Sequence, residues 1–266
     1  MLVPEESREP VTAAHIMQAK EMLLQERAVH LDSLAERLKE AAVRKVVQAI
    51  LIGDMDPTLA DGDDFRLCLD LGLVTIDNGT PQIANPIYRE IIPRVLSYGS
   101  QMAIPLPEFP WRKPDGALDM EALLRAFQAF WRRNSDEWER QANYPEAFPH
   151  LLVMAFLQRI LNGNGRIERE YAAGRERIDL AIEWQGRWTV IEIKLVHPAD
   201  GRDSTLEKGL RQVARYRATV GAAEAWLILF DRRPAARAKP WEERLTWEQH
   251  PDPTNPAAAP ITVVGA

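Results

Sequence analysis

The chain has 266 residues, 46% hydrophobic and 27% charged, the balance of an ordinary globular protein of one or two domains. Its formal net charge of −6 excludes a protein that coats nucleic acid by bulk electrostatics, because phosphate contacts come from clustered Lys and Arg. Apolar runs such as 226–230 fall far short of the roughly 20 residues that span a membrane, and the acidic start Met1-Leu-Val-Pro-Glu-Glu resembles no signal peptide. A cytoplasmic protein without a membrane partner is expected.

The single cysteine, Cys68, cannot form an internal disulfide, and it sits in the apolar pattern Phe65, Leu67, Leu69, Leu71, so it reads as core filling. Local basic clusters remain as candidate phosphate contacts: Arg125 with Arg132 and Arg133; Arg166, Arg169, Arg175 and Arg177; Arg211, Arg215 and Arg217; and Arg232, Arg233, Arg237 and Lys239. Each cluster alone reads first as a solvated face laced with acidic residues.

In chain order, residues 11–27 carry Thr12 as an N-cap candidate and Ile16, Met17, Leu23 and Leu24 at helical spacing. Two more helices follow at 31–40 and 41–52, the second with Val43, Val46, Val47 and Ile50 on one face. A further one over 63–71 ends at Gly72. The period then changes to two: 73–76 and 81–84 flank Asn78-Gly79, the signature of a β-hairpin. Asn85-Pro86 starts another helix, running to Leu96, with Asn as cap and Pro at the first helical position.

Helices, hairpin, helix is the order of a small winged-helix domain. The stretches Asp70-Leu-Gly-Leu-Val and Ile83-Ala-Asn-Pro-Ile-Tyr-Arg-Glu-Ile resemble the C-terminal winged-helix region of a group of bacterial and archaeal AAA-type ATPases, over about the first hundred residues. Such proteins normally begin with a P-loop module, and no G-x-x-x-x-G-K-[ST] occurs in this chain, so no ATP site is expected.

Pro105, Pro107, Pro110 and Pro114 mark residues 101–117 as a linker. Beyond it, 118–138 reads as amphipathic helix with Leu123, Leu124, Phe127, Phe130 and Trp131 buried, and 146–161 as another. The expected division is therefore 1–100, a linker over 101–117, a second domain over 118–250, and a Pro- and Ala-rich tail over 251–266 that drapes on the surface.

The chemistry lies in the second domain. Strands are expected over 166–171, 177–184 and 187–195, the last two joined by a Gln185-Gly186 turn. Asp179 falls inside one strand, while Glu192 and Lys194, two apart on the next, point to the same face. Charges within apolar strands are costly unless they pair or bind an ion. Asp179 and Glu192 can hold a hard cation, Mg²⁺ or Mn²⁺, with the carbonyl of Ile193 as a further ligand. Such a metal acidifies a bound water and stabilises charge on a phosphoryl oxygen, and Lys194 can orient that water or neutralise the developing charge. The alternative is a same-face ion pair on an edge strand.

Asp179, twelve intervening residues and then Glu192-Ile-Lys194 resemble the D-x(n)-E-x-K core of the PD-(D/E)XK nuclease superfamily. Gln212-Val-Ala-Arg-Tyr216, on a helix expected over 204–217, is similar to the Q-x-x-x-Y arrangement of its RecB-like branch, and 223–230 reads as the apolar strand that follows. Gly174-Arg-Glu-Arg-Ile-Asp-Leu-Ala-Ile looks like the corresponding strand of nuclease domains attached to AAA-type ATPases.

The resemblance, over about 146–230, implies an α/β (α+β mixed) protein with a restriction-endonuclease-like αβββαβ core and a central mixed sheet. It implies a magnesium-dependent deoxyribonuclease, acting in DNA processing or defence against mobile elements, with Asp179, Glu192, Lys194, Gln212 and Tyr216 at its site. It also implies an additional acidic residue, Glu146 by preference or Glu168. DNA is the implied partner, with an AAA-type ATPase subunit as a second; a homo-oligomer is compatible with this reading. Two rivals are a catalytically silent module that regulates or completes a separate ATPase, and the severed C-terminal half of an ATPase polypeptide.

The histidines His15, His30, His150, His197 and His250 show no metal-ligand spacing, and no G-x-S-x-G elbow is present. Trp184, Trp188 and Trp226 alternate with apolar residues and read as packing; an exposed Trp188 would instead suggest base stacking.

Overall fold

The computed structural model describes residues 29–52, 55–85, 87–89, 91–93, 95–96, 104, 111–141, 147–161, 166–173, 176–196 and 201–266. The protein is mixed α/β with two sheets, and its chain divides into two compact units, Met1–Leu96 and Ser97–Ala266. The helix expected over 11–27 lies outside the described residues, as do Glu146 and His197.

In the first unit, α1 spans Val29–Arg37, α2 Ala41–Ile52, α3 Pro57–Ala60 and α4 Asp63–Asp70. Val43, Val46, Val47 and Ile50 recur at helical spacing and form the buried face of α2, which packs on α4 with its buried Phe65 and Cys68. Burial pushes the Cys68 thiol up to about 11, so it stays protonated as core filling. The hairpin of β1 (Val74–Asp77) and β2 (Thr80–Ile83) turns through Asn78 at φ 49° and Gly79 at φ 80°. Two successive positive φ values make a type I′ turn, whose twist matches the strands it joins. Asn85 Oδ1 then accepts the Tyr88 amide at 2.8 Å, the cap expected there, and Arg89 reaches back to Gln82 Oε1 at 3.0 Å.

In the second unit, α5 spans Met120–Gln141 and is capped by Asp119, which accepts the Ala122 amide at 3.0 Å; α6 spans Phe148–Leu161. A meander follows: β3 (Arg166–Ala173), β4 (Glu176–Trp184) and β5 (Arg187–Leu195), all antiparallel. The long helix α7 (Gly201–Val220) crosses over to β6 (Glu224–Phe230), parallel to β5. Short helices α8 (Pro234–Arg237) and α9 (Trp241–Arg244) lead to β7 (Trp247–His250) and β8 (Ile261–Gly265), giving the sheet order β3-β4-β5-β6-β8-β7.

Helices cover both faces of this sheet. On one, Phe127 and Trp131 of α5 stack edge-on against Phe230, with centroids 6.2 and 4.9 Å away, and Phe127 meets Phe156 of α6 at 5.5 Å. On the other, Val213 and Tyr216 of α7 join Val190, Leu227, Leu229 and Val263 in one buried cluster. Being buried on both faces explains the near-continuous apolar run of β6.

Two expectations are corrected. The segment 251–266 is no tail: β8 lies inside the sheet between β6 and β7, with Ile261, Val263 and Val264 fully buried. Arg217 and Asp252, buried at 6% and 2% exposure, form an ion pair that pins the connection, and Arg217 also donates to the Ala259 carbonyl at 2.5 Å. The Pro- and Ala-rich stretch hid a strand only five residues long. Second, 111–118 belongs to the second unit rather than to a free linker: Arg112 bridges Leu118, Trp184 Nε1 donates to the Gly116 carbonyl at 3.0 Å, and Arg187 pairs with Asp115 at 3.1 Å. Trp188, expected as packing, is half-buried against the α7 cluster. Among the described residues no helix is long and apolar enough to cross a membrane.

Candidate active site

The pairing of β4 with β5 begins at the Trp184–Arg187 turn and ends at Leu180–Ile191. One step further along the same register, Asp179 stands opposite Glu192. There the main-chain ladder gives way to a side chain: Asp179 Oδ2 accepts the Ile193 amide at 2.8 Å. The carboxylate thus satisfies a donor that a strand carbonyl would otherwise take, and it is held in a fixed orientation.

Glu192 is wholly buried, at 0% exposure, on the α7 face of the sheet. Burial, followed by the negative charge of Asp179, pushes its carboxyl well above the usual range, and the Lys194 ammonium opposes this. Lys194 Nζ lies 2.6 Å from Glu192 Oε1, and the backbone amide of Asp179 is a further donor beside this carboxylate. For Lys194 itself, burial opposes the charge, but Glu192 and Asp179 outweigh it and raise its pKa.

Helix α7 closes over this group because residue 209 is glycine. A Cβ there would stand 2.8 Å from Leu227 Cδ1 and 3.3 Å from Lys194 Cγ, so a larger residue would push these side chains aside or lift the helix. One turn on, Gln212 Nε2 donates to the Tyr216 hydroxyl at 2.6 Å, and Tyr216, only 2% exposed, packs its ring in the α7 cluster. Gln212 and Tyr216 therefore form one linked pair on the helix that rests on Lys194.

Asp179, Glu192, Ile193 and Lys194 come together, and α7 carries the Gln212–Tyr216 pair on the same side of the sheet. Of the two further acidic candidates, Glu146 lies outside the described residues, whereas Glu168 occupies the β3 position paired with Ala181, two residues along β4 from Asp179. Sequence spacing gave no reason to single out His150, yet its Nε2 lies 3.2 Å from the Ile193 carbonyl, within a buried part of α6. Its only signal was its place in the apolar first turns of α6.

Two carboxylates, a backbone carbonyl and an ammonium, largely withdrawn from water, fit a hard divalent cation. Asp179 and Glu192 stand side by side as like charges, which positive charge beside them offsets. Among the described residues no three His, Cys, Asp or Glu side chains are grouped closely enough to hold a metal by themselves, so the Ile193 carbonyl would be needed as a ligand. No protein-family model, curated protein or solved structure matches the chain.

Proposed function

We propose that the second unit is a magnesium- or manganese-dependent nuclease that hydrolyses phosphodiester bonds of DNA, with Asp179, Glu192 and Lys194 at its centre. The observation that carries this reading is the juxtaposition of Asp179 and Glu192, one fully buried, beside a lysine ammonium at the end of a strand pair. A structural ion pair needs one carboxylate; the second, like-charged group is destabilising unless a cation joins them.

Asp179 and Glu192 would hold the cation together with the Ile193 carbonyl, and His150 reaches the same carbonyl from α6. When bound, the cation supplies positive charge at the phosphoryl group and lowers the pKa of a water. Lys194, kept protonated by its two acidic neighbours, sits where it can neutralise charge developing on the phosphate. Gln212 holds the Tyr216 hydroxyl, and Gln212, the less buried of the two, would line the approach along α7. The meander, crossover helix and parallel β6 follow the αβββαβ order of the PD-(D/E)XK nucleases that the sequence resembles. The helices and hairpin of the first unit suit a winged-helix module. Its resemblance to the C-terminal part of AAA-type ATPases makes such a subunit a proposed partner.

The test is cleavage of single- and double-stranded DNA and RNA by the full chain with Mg²⁺ or Mn²⁺, beside Asp179→Ala and Lys194→Ala preparations. Metal-dependent cutting lost in both variants supports the nuclease and identifies its substrate. Equal cutting by wild type and variants would mark a contaminant and remove the assignment.

A further inference from the structure

Helix α7 turns one side into the core and leaves the other in solvent. Thr205, Gly209, Val213, Ala214, Tyr216 and Arg217 are buried, whereas Lys208, Arg211 and Arg215 are exposed. These three stand at positions i, i+3 and i+7, a spacing that places them in one stripe along the helix, and Gln212, four residues after Lys208, falls on the same line. The stripe is about 10 Å long at roughly 1.5 Å of rise per residue. Arg211 pairs with Glu207 at 2.8 Å with both side chains more than half exposed, a contact that water and salt weaken.

The stripe is locally cationic on a chain whose net charge is −6. It borders the edge of α7 that carries Gly209, against Lys194, and the Gln212–Tyr216 pair. We infer that Lys208, Arg211 and Arg215 form a track for the phosphates of a nucleic-acid strand, leading a phosphodiester along α7 toward Asp179 and Glu192. At about 3.4 Å of axial rise per nucleotide, 10 Å of ridge accommodates roughly three successive phosphates of one strand. The ridge contacts sugar-phosphate backbone only, so it adds affinity without sequence preference. This surface rests on the nuclease reading, since it takes its direction from that site.

The experiment measures binding of labelled single- and double-stranded DNA by the full chain, without divalent metal, across a series of salt concentrations. Wild type is compared with a Lys208→Ser/Arg211→Ser/Arg215→Ser variant and with an Arg132→Ser/Arg133→Ser/Lys239→Ser control, which removes three equally exposed cations elsewhere. The ridge variant is expected to lower the magnitude of the slope of log K against log salt by about 2 to 3, at 0.7 to 0.9 per lost phosphate contact. The control leaves the slope unchanged, and an Arg211→Lys/Arg215→Lys variant, which keeps the charges, retains it. Circular dichroism of each variant confirms that the surface changes leave the fold intact.

A wild-type slope in the ridge variant, or equal losses in ridge and control, overturns the track even if metal-dependent cutting is found. Absence of cutting by wild type, with salt-dependent binding still lost on the ridge alone, would instead overturn the nuclease reading and keep the surface.

Discussion

The backbone amide of Ile193 donates to Oδ2 of Asp179 at 2.8 Å, and the next side chains on either side of that residue, Glu192 and Lys194, face each other at 2.6 Å. Asp179 therefore has two tasks, one as a main-chain acceptor and one as a charge beside Glu192. Asp179→Asn keeps an acceptor and removes the charge. The variant is expected to fold with stability within about 1 kcal/mol of wild type, since one hydrogen bond is at stake. Its metal-dependent cleavage should fall by at least about a hundredfold. Thermal melts and initial cleavage rates check both; a variant that keeps cutting would remove Asp179 from the site.

Glu192 makes the metal-free protein sensitive to pH. Its folded carboxyl titrates above the unfolded value of 4.5, so between those values the folded state binds more protons than the unfolded one. Stability from this group therefore falls as pH rises from the unfolded value through the folded one. Glu192→Gln removes that dependence, and its melting temperature in chelator is expected to exceed wild type increasingly as pH rises above the unfolded value. Identical pH profiles would show that burial does not perturb Glu192.

If the site takes the proposed cation, binding competes with the proton that burial favours on Glu192. Affinity for Mg²⁺ or Mn²⁺ is accordingly expected to rise with pH, with proton release on binding. Calorimetric titrations in buffers of different ionisation enthalpy measure the release. A heat independent of buffer would count against Glu192 as a ligand.

Gly209 sets the distance between α7 and the strands. Gly209→Val places methyl groups where Leu227 and the Lys194 stem already lie, and it is expected to cost about 1–3 kcal/mol by overpacking. Gly209→Ala should cost less. If the valine variant melts with wild-type stability, α7 does not rest on Lys194 as closely as described.

The C-terminal strand can be tested by removing it. A chain ending at His250 loses β8 from the sheet interior, where Ile261, Val263 and Val264 are each worth about 1.5–3 kcal/mol of buried side chain. It also loses Asp252, leaving the buried Arg217 charge without its carboxylate, a further cost of about 3–5 kcal/mol. The second unit of the truncated chain is expected not to fold. Native near-ultraviolet circular dichroism from it would contradict the position of β8.

Period and turn chemistry in the sequence determined much of this protein. The α2 face, the two hairpins at Asn78-Gly79 and Gln185-Gly186, the Asn85 cap and the apolar β6 are local features, governed by spacing and by which residues tolerate positive φ. Alternation along β5 likewise put Glu192 and Lys194 on one face, because strand side chains repeat every second residue. What required tertiary structure involves distant partners. Asp179 meets Glu192 only through register, and Gly209 meets Lys194 only because a crossover helix returns over β5. His150 reaches the Ile193 carbonyl from 43 residues away. The strand Ile261–Gly265 was illegible because five residues after a Pro-rich stretch carry too short a pattern; its place between β6 and β7 comes from main-chain bonds and buried area supplied by the rest of the sheet. Local preference chooses an element, but contacts between elements far apart in sequence decide which charged groups share a site.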